Sequence, residues 1–321
     1  MSSKRYAVGV DLGGTKIAVA LVDDRGEVLK HARYLTFVRE GPEAVRDQII
    51  GAVKEIRKGT KTRPAGIGIG VAGQIARDDG MVRFAPNLGW RNIPLGEQLR
   101  AITRLRVVVV NDVRAAAAGE WAFGAGKDCG DLICMFVGTG IGGGIVAQGR
   151  MLHGCGNSAG EIGHVVVDMN GPLCHCGRRG CMEALAGGWA IAQKARDAIL
   201  LDPALGTPLL RLAKGQINNV TTELVATAFR MGDPLARQLI DRAAEALSVG
   251  AVSLVNAFNP CRLILGGGVV NGLPELIERV REGIRHHALV TAAESVTVVP
   301  ASLGDDAGVI GAAVLAMQSP A

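Results

Sequence analysis

The apolar positions of this chain fall into short blocks separated by glycine, and the spacing inside each block predicts an element. Tyr6 to Asp11 is an apolar run, Gly13-Gly14 breaks it, and Lys16 to Val22 resumes it, which predicts strand, glycine turn and strand. A third strand over Val28 to Tyr34 completes a meander. Val45, Ile49, Val53 and Ile56 recur at helical spacing within Pro42 to Lys58, and Ala65 to Val71 is short and apolar throughout, as a buried strand is. Arg106 to Val110 predicts another buried strand. An alanine-rich helix over Val113 to Trp121 follows it, with Asp112 as the expected N-cap.

From Asp131 the opening theme returns. An apolar strand to Val137 meets the glycine turn Gly138-Thr139-Gly140-Ile141-Gly142-Gly143-Gly144, and a return strand is expected over Ile145 to Gln148. Helices are expected near Met182 to Leu201 and Asp233 to Phe258, broken by Pro203, Pro208 and Pro260. A strand over Arg262 to Leu265 ends in Gly266-Gly267-Gly268. A helix over Gly272 to His287, a strand over Val296 to Val299 and a closing helix from Asp306 to Met317 finish the pattern. Two glycine-turn hairpins, each followed by strands alternating with helices, predict an α/β fold of two similar lobes facing each other across a nucleotide cleft.

Length agrees with two lobes, because 321 residues exceed the size, roughly 250 to 300, at which single cores stop growing. The net charge of +5 comes from 35 basic and 30 acidic residues without long runs, so a nucleic-acid partner is not expected. Only a few apolar or small residues follow Lys4-Arg5 before Asp11, and no apolar run reaches the ~18 residues of a membrane span. No membrane partner is expected, and the expected location is cytoplasmic. Seven cysteines, three of them clustered, fit a reducing compartment better than a disulfide framework.

Those three carry chemistry. His164 with Cys174, Cys176 and Cys181 forms a His plus C-x-C-x4-C set suited to tetrahedral Zn²⁺ with every position filled by protein. His175 is an alternative ligand, strained by its place between two ligating cysteines. Glu161 and Glu183 flank the set and would either meet the hydroxyls of a polyol or support the ligands. Asp11-Leu12-Gly13-Gly14-Thr15-Lys16 places a carboxylate, bare backbone amides, a hydroxyl and an ammonium at one strand end, which are either the parts of a phosphate site or a structural hairpin turn that happens to end in Lys. It is not a Walker A loop, since the turn leads into a strand. Gly138 to Gly143 spells G-x-G-x-x-G but also leads into a strand, which excludes a dinucleotide fingerprint and leaves a turn able to wrap phosphates. Gly266-Gly267-Gly268 is either a nucleoside-side approach or a helix-entry turn. Asp112, at a strand's carboxyl end with Asn111 beside it, is the leading base for phosphoryl transfer to a hydroxyl, and Asn87 could add a polar contact.

The motifs Asp11 to Lys16, Pro86-Asn87-Leu88-Gly89-Trp90, Asn111-Asp112, Gly138 to Gly144, Glu161-Ile162-Gly163-His164 and Cys174 to Ala184, in this order over nearly the whole chain, resemble the ROK family of sugar kinases and repressors. That family lies within the hexokinase and actin-like ATPase superfamily. The resemblance implies ribonuclease H-like lobes: a small lobe of residues 1–113 plus 305–321, and a large lobe of residues 114–304 with the zinc loop and dimer contacts. It also implies phosphorylation of a hexose at the 6-hydroxyl by ATP and Mg²⁺, glucose first, with N-acetylmannosamine, fructose or mannose as alternatives.

On the same resemblance Asp112 would be the base, and Asn87, Asn111, Glu161, His164 and Glu183 would hold the other hydroxyls. Asp11 would act near Mg²⁺. Gly13, Gly14, Thr15 and Lys16 with Gly138, Thr139 and Gly140 would hold phosphates, and Gly266, Gly267 and Gly268 would flank adenosine. His164, Cys174, Cys176 and Cys181 match the family's ligands for structural zinc. A homodimer or dimer of dimers is implied, and closure of the lobes over sugar is expected. The family's repressors carry an N-terminal helix-turn-helix domain, and with ten residues before Asp11 no such DNA-binding module is expected here. Its polyphosphate-using members typically lack the cysteine loop. Ala186-Gly187-Gly188 stands where relatives often have a Ser. A sugar-sensing protein without turnover is the rival class, and it would need no base at Asp112.

Overall fold

The computed structural model of the protein describes residues 5–60, 62–77 and 79–318. The chain divides into two units, Met1–Cys129 with Arg150–Gly160 and Ser302–Ala321, and Gly130–Gly149 with Glu161–Ala301.

In chain order the first unit contains β1 (Tyr6–Leu12), β2 (Lys16–Asp23), β3 (Val28–Leu35), β4 (Ile67–Val71), β5 (Gln74–Ile75), β6 (Val82–Ala85), β7 (Trp90–Ile93) and β8 (Val107–Asn111). Its main sheet has the order β3-β2-β1-β4-β8. The β1-β2-β3 meander is antiparallel, while β4 and β8 run parallel to β1 and to each other. All of β4 is buried, as a strand covered on both faces must be, whereas the edge strand β3 is half exposed.

Helix Pro42–Ile56 covers one face with Val45, Ile49, Val53 and Ile56, the positions its spacing predicts. Helix Ala307–Gln318 covers the other with Val309, Ile310, Ala313 and Val314. Its backbone lies so close to the sheet that a Cβ on Gly9 would stand 1.8 Å from the Val309 carbonyl oxygen. Glycine in β1 is therefore a condition of this packing. The small sheet β5-β6-β7 was not expected. Its strands are two to four residues long, too short to show a period.

The second unit opens with β9 (Leu132–Val137) and β10 (Ile141–Ala147), an antiparallel pair, followed beside β9 by the parallel strands Arg262–Gly266 and Thr297–Pro300. The turn is shorter than expected. Gly142, Gly143 and Gly144 are not part of it but pair with Phe136, Met135 and Cys134 inside the ladder. Gly143 has a packing reason, since a Cβ there would lie 2.4 Å from the Ile162 side chain. The single helix expected near Met182 to Leu201 is two, Met182–Ala186 and Gly188–Leu201, separated by Gly187 in extended geometry. Helix Pro234–Phe258 begins where Asp233 caps it.

Among the described residues no helix is long and apolar enough to cross a membrane. Cys155, Cys174, Cys176 and Cys181 are free thiols, whereas Cys129 and Cys261 are disulfide-bonded.

Candidate active site

In the first unit the parallel register brings Asp11 beside Gly70 and Val71 beside Asn111, so the carboxyl ends of β1, β4 and β8 share one sheet edge. Asp112 begins helix Asp112–Phe123 there. Its N-cap is Asn111, not Asp112: the Asn111 side chain accepts from the Arg114 amide at 3.0 Å. The Asn111 side-chain Nδ2 in turn donates to Asp112 Oδ1 at 2.9 Å and to the Gly73 carbonyl at 3.3 Å. Capping thus falls to Asn111, and Asp112 is held by it at the helix's positive end.

Asp11 and Asp112 act on one another through space. Burial, and then the charge of Asp112, push the Asp11 carboxyl up to about 6. Two carboxylates held at one strand edge in low dielectric are a donor set for a divalent cation, which would reverse that penalty. Gly308, at the start of helix Ala307–Gln318, faces Asp11: a Cβ there would lie 3.3 Å from its carboxyl carbon.

The turn after β1 is Gly13-Gly14-Thr15. It is closed by the Gly13 amide donating to the Lys16 carbonyl at 3.0 Å, and the Thr36 hydroxyl donates to the Gly13 carbonyl at 2.8 Å. The amides of Gly14 and Thr15 donate to no protein group among the described residues, and Thr15 and Lys16 are exposed. Asn87, exposed on the short helical turn Pro86–Leu88, abuts Gly14; a Cβ on Gly14 would be 2.6 Å from the Asn87 carbonyl oxygen.

In the second unit Gly138-Thr139-Gly140 is the equivalent turn. Helix Gly188–Leu201 holds it from behind, the Gly188 amide donating to the Gly138 carbonyl and the Trp189 amide to the Thr139 carbonyl, both at 2.9 Å. Glu183 holds it from the side. Its Oε2 accepts from the Ile141 amide at 2.9 Å, and the Trp189 indole N–H donates to its Oε1 at 3.3 Å. The amides of Thr139 and Gly140 have no protein acceptor among the described residues, and Thr139 is exposed, so the turn offers N–H groups outward.

The metal set assembles as its spacing predicts. One ligand atom from each of His164, Cys174, Cys176 and Cys181 lies within 4.8 Å of all the others. Cys174 Sγ is 3.7 Å from His164 Nδ1, and Cys176 Sγ is 3.5 Å from Cys181 Sγ. A tetrahedron with bonds of about 2.3 Å has edges of roughly 3.8 Å, so the spacing fits Zn²⁺. Burial and the neighbouring Cys176 and Cys174 thiols push Cys181 up to about 12, so the cluster would be held as thiolates only by a cation. His175 is elsewhere, stacked on Trp189 with ring centroids 4.0 Å apart. That stacking separates it from the ligand set.

Cys181 is the N-cap of helix Met182–Ala186, so Glu183 follows the last thiol within one turn. Glu161 is exposed just before the short helical turn Ile162–His164 that carries the imidazole. Gly267, with φ at +92°, carries the strand Arg262–Gly266 into helix Gly268–Gly272. A cavity of about 190 Å³ adjoins Gly268, lined also by Thr222, Glu223, Thr227, Arg230 and Val269. Its helix Thr222–Arg230 was not expected. Nor was Trp189 expected as the partner of Glu183, because a tryptophan at a helix start carries no signal of its hydrogen bond.

The ROK family model matches residues 7–319, and the chain belongs to the ROK family. It is 36% identical over 311 residues to a glucokinase of Thermotoga maritima, covering 97% of this chain and 96% of that one. An N-acetylmannosamine kinase of Escherichia coli is 33% identical over 311 residues, with 96% of this chain and 97% of that one covered. Among solved structures, a ROK family glucokinase from Streptomyces griseus in complex with glucose and AMPPNP superposes with a TM-score of 0.83 at 36% identity, covering 98% of this chain and 100% of that chain.

Proposed function

We propose that this protein is an ATP- and Mg²⁺-dependent hexose kinase that converts glucose to glucose 6-phosphate. The observation that carries the reading is the carboxylate pair: Asp112, held by Asn111 at a helix start, beside Asp11 raised to about 6. It is supported by the likeness to a structure containing glucose and a nucleotide analogue over 98% of this chain.

Asp112 accepts the proton of the sugar 6-hydroxyl as that oxygen forms a bond to the γ-phosphorus, and the bond from the γ-phosphorus to the bridging oxygen breaks to release ADP. Asn87, Asn111, Glu161, His164 and Glu183 hold the remaining hydroxyls, and the amides of the two glycine turns take the phosphates. Gly266, Gly267 and Gly268, with the adjoining cavity, take the nucleoside. Mg²⁺, with Asp11 near it, would neutralise phosphate charge. Zn²⁺ on His164, Cys174, Cys176 and Cys181 is structural, since four protein ligands leave no open position. A homodimer and a cytoplasmic location complete the reading.

Purified protein assayed with ATP and Mg²⁺ against glucose, mannose, fructose and N-acetylmannosamine tests it. Glucose is expected to give the highest kcat/KM. Preference for N-acetylmannosamine would move the protein toward that relative's activity, and turnover of none would leave the sugar-sensing alternative.

A further inference from the structure

Two residues past the proposed base stands an arginine whose position is electrostatically unfavourable. Arg114 lies in the first turn of helix Asp112–Phe123, where the helix dipole disfavours a cation, and it is only 4% exposed. A guanidinium retained against both costs needs a specific set of acceptors. It has one in the segment between β10 and Glu161. Arg114 Nη1 donates to Asn157 Oδ1 at 2.7 Å, and Nη2 donates to the carbonyls of Asn157 and Ala159, both at 3.0 Å.

Asn157 is itself a junction. Its backbone is left-handed, with φ at +59°, and its side-chain amide donates to the Ile75 carbonyl at 2.9 Å. His153 Nδ1 lies 3.2 Å from Asn157 Oδ1. Within the segment the Ala159 amide donates to the His153 carbonyl at 3.1 Å, but Gly154, Cys155, Gly156 and Ser158 are exposed, and Gly154 and Gly160 both have positive φ. Two residues beyond Ala159 the chain reaches Glu161, a proposed sugar ligand.

We infer that Arg114 is a positioning residue for sugar recognition: through Asn157 and Ala159 it fixes the 153–160 segment, the stretch of chain that leads directly into Glu161. This rests on the hexose kinase reading. Arg114 takes no part in proton or phosphoryl transfer, so its loss acts on sugar binding while the chemical step persists.

The test compares wild type with Arg114→Ala, Arg114→Lys and Asn157→Gly, the last keeping the left-handed backbone while removing the side chain's bonds. Two quantities are read: steady-state constants for glucose and N-acetylmannosamine, and hydrogen–deuterium exchange of the 153–160 peptide. Loss of a charge-assisted pair predicts that KM for the preferred sugar rises about ten- to a hundredfold in Arg114→Ala, with kcat within about threefold. Faster exchange confined to 153–160 and partial rescue in Arg114→Lys are expected alongside. Unchanged exchange in that peptide, or an unchanged KM in a folded Arg114→Ala protein, overturns the inference. A residue that mattered for folding alone would lower the melting temperature and the active fraction without moving KM, and that result overturns it too. If wild type phosphorylates no hexose, the functional reading falls, while the exchange comparison still decides whether Arg114 clamps the segment.

Discussion

Gly13-Gly14-Thr15 joins β1 to β2, and Gly138-Thr139-Gly140 joins β9 to β10; in both units the hairpin's first strand is flanked by two successive parallel strands. The topologies are the same and the supports differ. The first turn is tied through its own ends and Thr36, and it borders the Asp11 and Asp112 edge. The second is tied by the two leading amides of helix Gly188–Leu201 and by Glu183, which the cysteine loop anchors through Cys181. One frame used twice thus carries a titrating carboxylate edge in one unit and a scaffold beside a cluster of one histidine and three cysteines in the other.

The largest break in this comparison comes from removing the brace. Chelation, or Cys181→Ser, is expected to release one zinc per chain and to disorder the 161–183 region, because metal binding free energy is folding free energy there. Glu183 then loses its place and kcat/KM for glucose falls by about a hundredfold or more. Metal analysis and activity on the same samples check it; full activity in zinc-free protein would mean the loop stands alone.

A smaller effect separates the glycines within each turn. A Cβ on Gly140 would meet Glu183 Oε2 at 2.5 Å, and one on Gly14 would meet the Asn87 carbonyl at 2.6 Å, whereas one on Gly138 meets nothing within 4 Å. Gly14→Ala and Gly140→Ala should each cost about 1–3 kcal/mol in thermal or denaturant unfolding, and Gly138→Ala about 0.5 kcal/mol or less. Equal costs at Gly138 and Gly140 would show that Glu183 does not crowd the second turn.

The smallest effect concerns charge. Because the folded protein raises Asp11 from 3.8 to about 6, it binds the proton more tightly than the unfolded chain does. Stability from this group is present below the ordinary carboxylate range and is lost as pH rises through about 6. Asp11→Asn is therefore expected to be more stable than wild type above that range by about 1–2 kcal/mol, with the gain vanishing under acid conditions, and to lose catalytic activity. Melting temperatures across pH, with and without Mg²⁺, check both sign and window. Mg²⁺ should stabilise wild type more than the variant.

Both hairpins are legible in the sequence because an apolar run broken by paired glycines has few other readings, and the metal set because three thiols and an imidazole at close spacing converge in any tight loop. Gly142 to Gly144 mislead for the opposite reason. Glycine in a strand looks like a turn until Ile162 is seen packed where a side chain would be. Asn111 and Asp112 stand at a strand end as the sequence indicates, but the N-cap is Asn111 rather than Asp112, since either side chain can cap a helix and only geometry chooses. Arg114 with Asn157, and Glu183 with Trp189, left no trace: each is a hydrogen bond between residues whose separation follows no period.

The most direct test of the division between the two units is turnover by Asp112→Asn in the zinc-loaded protein, with glucose binding measured by calorimetry on the same preparation. The geometry predicts that kcat falls by about 10³-fold or more while glucose still binds within roughly tenfold of the wild-type affinity. Near-normal turnover in that variant would remove Asp112 from the mechanism and contradict the assignment of the chemistry to the first unit.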